Sequence, residues 1–110
     1  MKVTRNNHTL DFGAEALLET FDSLDKNKIK WFGAGLTAAD AQRPFRKKIT
    51  IGNTTMPIAI IGAFEYRTLY KQKYGFYATD ISPGVNQLAT KRICNQIARL
   101  KNKTPQPLVI

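Results

Sequence analysis

The sequence predicts an α+β fold: a small antiparallel sheet of about 4–5 strands packed against two main helices, over about residues 13–24 and 83–101. Three observations point there. Apolar residues recur at helical spacing from Ala14, an Ile- and Thr-rich stretch from Arg46 to Ile61 is broken by Gly52-Asn53, and Ser82-Pro83 opens a second run of helical periodicity.

Lys2–Arg5, Asn6-Asn7 and His8–Phe12 read as a short hairpin, because Asn tolerates the positive φ of tight turns. Ala14, Leu17, Leu18, Phe21 and Leu24 then fall on one helical face, with Asp11 placed to cap the helix and Glu15, Glu19 and Asp22 on its outer side. Lys28–Trp31 alternates as a half-buried strand does and stops at Gly33-Ala34-Gly35. Thr37-Ala38-Ala39-Asp40 has the form of a capping box, in which the Thr hydroxyl and the Asp carboxylate each satisfy an orphan amide; Pro44 keeps the helix short.

Arg46–Ile51 and Thr54–Ile61 predict a hairpin about Gly52-Asn53, and Pro57 puts its strand at an edge or a bulge. From Ile58 to Phe76 the even positions are largely apolar or aromatic, while the odd ones include Glu65, Arg67, Lys71 and Lys73. That period of two favours strands with a turn near Lys71–Lys73, against a competing helix from Ala63 to Tyr74.

Ser82 as cap and Pro83 at the first helical position start the last helix, which runs to about Lys101. Val85, Ala89, Ile93, Ile97 and Leu100 form its inward stripe, and Lys91, Asn95 and Arg99 line up outside with Arg92 and Asn102 beside them. Residues 1–103 make one basic domain and 104–110 a short tail, whose Leu108-Val109-Ile110 is placed to add a strand to the chain's own sheet.

Charge is the least ordinary feature. The 110 residues carry a formal net charge of +9, distributed unevenly: residues 1–40 hold five basic and six acidic side chains, residues 41–110 twelve basic and two acidic. A field of that kind concentrates polyanions and speeds encounter with them. The single cysteine, Cys94, closes no disulfide within the chain, and no secretory leader is apparent, which suits a reducing cytoplasm. The most apolar stretch, Met56–Phe64, falls well short of the roughly 20 residues of a membrane span.

Catalytic and metal signatures are weak. Gly33-x-Gly35-x-x-Ala38 matches a dinucleotide fingerprint only superficially, because Pro44 cuts the following helix and no acidic residue stands about twenty positions on. One histidine and one cysteine, 86 positions apart, make neither a zinc pattern nor a nucleophilic pair; His8 reads as a turn or surface residue and Cys94 as a core-edge one. The acids from Asp11 to Asp25 describe a solvated helix face, and Glu65 with Asp80 falls short of a nuclease set. The expectation is therefore a non-enzymatic protein with no catalytic residue, metal or cofactor.

Two groups suit anion binding. Arg67, Lys71 and Lys73 alternate with Tyr70 and Tyr74, and cations beside aromatic faces hold phosphates and stack bases, although an amphipathic sheet with core aromatics has the same pattern. Lys91, Arg92, Asn95 and Arg99 form a basic, amide-bearing helix face suited to phosphate contact. Together they predict a nucleic-acid-binding or nucleic-acid-associated protein, for DNA or RNA. The alternative is a small protein-binding module, of the inhibitor or accessory type found in phages and mobile elements, docking an acidic protein.

Overall fold

A computed structural model describes residues 2–3 and 8–110, with backbone alone at Lys2 and Val3. In chain order the elements are β1 (Lys2–Val3), α1 (Gly13–Lys26), β2 (Trp31–Phe32), β3 (Ala34–Gly35), α2 (Ala38–Gln42), β4 (Phe45–Ile51), β5 (Thr54–Ile60), β6 (Phe64–Glu65), α3 (Thr68–Tyr74), β7 (Gly84–Val85), β8 (Gln87–Leu88), α4 (Thr90–Lys101) and β9 (Leu108–Val109). This is an α+β fold. Its four helices among the described residues accompany several small sheets of two or three strands rather than one sheet of four or five.

Pairing is mixed where an antiparallel sheet was expected. β4 and β5 form the expected antiparallel hairpin about Gly52-Asn53, with Gly52 at φ +60, and β9 adds beside β5 in parallel through Ile58↔Leu108 and Ala59↔Val109. The tail thus joins the chain's own sheet. β9 reaches only Ile58 and Ala59, so Pro57 lies beyond it. β1 pairs with β2 and β6 with β8 in parallel, while β3 and β7 are antiparallel. β1 therefore does not form the expected N-terminal hairpin with residues 8–12, which make turns; the Asn6-Asn7 corner lies outside the described residues.

α1 follows its periodicity, burying Leu17, Phe21 and Leu24. With Leu10, Ala34, Phe76, Tyr77 and Val85, the first two of these form the main core, against which Trp31, Phe64 and Tyr70 pack. Phe21 and Trp31 stack nearly parallel, with centroids 3.9 Å apart. At α2 the Thr37 hydroxyl accepts the Asp40 amide at 3.3 Å, which is half of the expected capping box; the Asp40 carboxylate holds Arg43 instead of reaching back.

The last helix begins at Thr90, not Pro83. Residues 84–88 are drawn into strands by backbone bonds from Val85 N–H to Phe76 O and from Ala78 N–H to Val85 O, both 2.9 Å, and from Asn86 N–H to Gly33 O at 2.9 Å. Gly84 permits this approach, since a Cβ there would stand 2.6 Å from the Tyr77 carbonyl carbon. Tertiary pairing prevails over a good local start signal. Ser82 meets Thr79, Oγ to Oγ1, at 2.6 Å. No helix among the described residues is long and apolar enough to cross a membrane.

Candidate active site

The segment before α1 is two overlapping turns, with Asp11 N–H bonded to His8 O at 3.1 Å and Gly13 N–H to Leu10 O at 3.0 Å. Gly13 takes φ +87, which a side chain would resist. Buried Leu10 pins the turn to the core, and the helix enters through Phe12 without a side-chain cap. The expected cap residue, Asp11, is turned elsewhere. Its Oδ2 lies 2.8 Å from His8 Nδ1, in a pair that stays accessible to solvent.

This pair stands at the mouth of a hollow of about 530 Å3, lined also by Leu10, Phe12, Tyr70, Tyr74 and Phe76. The aromatic wall comes from α3 and the turn after it. Segment 68–74 is a helix, contrary to the strand expected there, because Tyr66, Tyr70 and Tyr74 are spaced by four as well as by two. Gly75, left-handed at φ +55, ends the helix and lets Phe76 N–H return to Tyr70 O at 3.0 Å, sending Phe76 into the core. Tyr70 packs on Phe76 with centroids 5.3 Å apart, while Tyr74 remains exposed beside Lys73 Nζ, 5.5 Å from its ring centroid.

Of the nine residues expected to bind anions, eight are divided between two helices and Arg67 stands just before α3, and they play different parts. Arg67 is held by Glu65, its Nε and Nη2 donating to Oε1 at 3.0 and 2.8 Å, and the same carboxylate raises the guanidinium pKa. Lys71 and Lys73 are exposed on α3, where Tyr70 is half-buried against the core and Tyr74 is open. On α4, Lys91, Asn95 and Arg99 are exposed as expected, but Arg92 turns inward. Its Nη2 donates to Asn86 Oδ1 at 2.9 Å and to the Gln87 carbonyl, and Asn86 in turn donates to Gly62 O at 2.8 Å. Arg92 is thus a tie between α4 and the core edge. Cys94, expected at that edge, is exposed.

Sequence reasoning set His8 aside as a turn residue, and it is one, but the turn is what brings Asp11 to it. The legible signal is the His-x-x-Asp-x-Gly spacing immediately before a helix. A carboxylate on Nδ1 selects the tautomer protonated there and makes Nε2 the acceptor nitrogen of the ring, an arrangement suited to proton transfer or to ligation. Among the described residues no group of three or more His, Cys, Asp or Glu side chains is placed to hold a metal ion.

The family model described as bacterial capsule synthesis protein, PGA_cap, matches residues 2–110. No curated protein matches the chain. The family match overturns the nucleic-acid reading and, with it, the alternative of a phage or mobile-element binding module for an acidic protein. It also removes the non-enzymatic expectation, since synthesis of a capsule is an enzyme-related setting. The physical reason for the error is plain: excess positive charge attracts polyanions as a class, and composition does not say which.

Proposed function

Because the chain belongs to the family of bacterial capsule synthesis proteins, PGA_cap, we propose that it serves capsule synthesis as an enzyme-related domain whose chemistry centres on His8 and Asp11. The observation that carries this reading is the 2.8 Å contact between Asp11 Oδ2 and His8 Nδ1 at the mouth of an aromatic hollow. Asp11 orients the imidazole with Nε2 as its acceptor nitrogen, so the ring can take a proton from a reacting hydroxyl or water and return it to a leaving group. Tyr70 and Tyr74 offer faces on which a polymer unit rests, and the basic residues after position 40 draw an anionic polymer towards the domain. The exposed thiol of Cys94 suits a reducing compartment and supports a cytoplasmic site of action.

The test is capsule formation by an encapsulated bacterium whose own copy of this gene is replaced by His8→Ala or Asp11→Asn. General acid–base residues contribute about 10²–10⁴-fold in rate, so H8A should abolish measurable capsule and D11N should reduce it, at unchanged protein level. Normal capsule in the H8A strain would overturn the assignment.

A further inference from the structure

A second hollow, of about 730 Å3, lies between the turn after α1 and the start of β4, and it is built unlike the first. Lys28, in the left-handed region at φ 57, reverses the chain after α1, and Trp31 comes back to stack on Phe21. The indole N–H donates to Asp25 Oδ1 at 3.0 Å, so one ring face and the polar edge of Trp31 are both fixed. Phe45, stacked on Phe32 at 5.8 Å, continues the aromatic floor. Around that floor stand two kinds of charge. Asp25 and Asp40 are carboxylates already engaged, one by Trp31 and the other by Arg43. Lys30 and Arg46 are exposed and make no ion pair with any described residue.

We propose that this hollow binds one acidic sugar unit, a pyranose ring carrying a single carboxylate. The aromatic floor takes the C–H face of the ring, and Lys30 and Arg46 take the carboxylate. Asp25 and Asp40 each keep lone pairs that accept sugar hydroxyls. The acids exclude the simpler ligands. Phosphate and other compact polyanions bring fewer donors for Asp25 and Asp40 and carry their charge close to both carboxylates, whereas a sugar holds its several hydroxyls apart from its one carboxylate; a neutral sugar leaves Lys30 and Arg46 unused. The site is separate from His8 and Asp11, and its ligand does not depend on their chemistry.

Trp31 is the single tryptophan of the chain and lines this hollow, so its fluorescence is a direct reporter of a ligand bound there. Purified protein is titrated with glucuronate, glucose and inorganic phosphate at fixed ionic strength. Glucuronate should give a saturable change in emission at concentrations about fivefold or more below any response to glucose, and phosphate should not reproduce it. R46Q and K30Q, both substitutions of exposed side chains, should each weaken glucuronate about fivefold at unchanged melting temperature. The double variant K71Q/K73Q, outside the hollow, should bind as the parent does. H8A should also titrate normally, so loss of capsule in that strain and loss of sugar binding here are distinguishable. Absence of a saturable glucuronate signal, an equal response to glucose, or undiminished binding by R46Q and K30Q would each overturn the proposal.

Discussion

Tyr77 shows how much one side chain can fasten. Its hydroxyl accepts the Arg67 amide at 2.8 Å and donates to the Glu65 carbonyl, so a single phenol satisfies both backbone groups where the chain passes from β6 to α3. Burial pushes its pKa above the ordinary phenol value, opposed by the Arg67 amide bond. The sign follows from the protonated form being favoured in the folded state: the contribution is fully present below pH 10 and is lost as pH rises through the higher folded-state value. Tyr77→Phe should therefore cost about 1–3 kcal/mol at neutral pH, by leaving an amide and a carbonyl without their partner. It should also flatten the fall in stability above pH 10. Urea denaturation of both proteins between pH 7 and 11 checks this, and parallel pH profiles would show that another group titrates there. Arg92 acts at the same scale, since its bonds to Asn86 and Gln87 turn a predicted surface cation into an internal tie.

Among elements, legibility followed the range of the forces that form them. α1 and the β4–β5 hairpin were readable because an apolar stripe with spacing three and four, and two β-rich runs about Gly52-Asn53, specify themselves locally. α3 was misread because aromatic residues every fourth position satisfy both periods; the deciding signal was Gly75 after Lys71 and Lys73, the usual end of a helix. The start of α4 was misplaced because Val85 is claimed by Phe76 and Ala78, nine and seven positions away in sequence. The His8–Asp11 pair needed the turn itself, which no periodicity describes. This difference separates two residues that the sequence treats alike. Phe21 is 3 % exposed and stacked on Trp31, whereas Ile97, on the expected inward stripe of α4, is only half-buried and lines an open groove. Phe21→Ala should destabilise by about 3–5 kcal/mol, and Ile97→Ala by less than half of that. Denaturant midpoints of the two variants check the order; equal losses would mean that the groove beside α4 is covered in solution.

At the scale of the whole molecule, stability is concentrated in one place. Leu17, Phe21, Ala34 and Val85 are almost wholly buried, and the strands and turns around them are stitched by the bonds of Ala78, Val85 and Asn86. The β4–β5 hairpin is the opposite case: six of the seven residues of β4 are exposed, Ile51 to 77 %, and β9 supports only Ile58 and Ala59 of β5. Beyond that point the hairpin rests on its own cross-strand bonds and on pairs such as Thr50 with Thr55, whose hydroxyls lie 3.1 Å apart. A two-stranded ribbon of this kind has little stability of its own, and its tip should open without global unfolding. Amide hydrogen exchange should therefore be slowest at Ala78, Val85 and Asn86, close to the global limit, and faster by orders of magnitude from Ile49 to Met56. The exposed Ile49, Ile51 and Met56 share one face of the hairpin, because alternate residues of β4 pair with alternate residues of β5. Exchange measured at several protein concentrations would reveal any cover on that face. Tip amides as well protected as Val85 at every concentration would refute the picture of an independent ribbon and place the hairpin within the cooperative core.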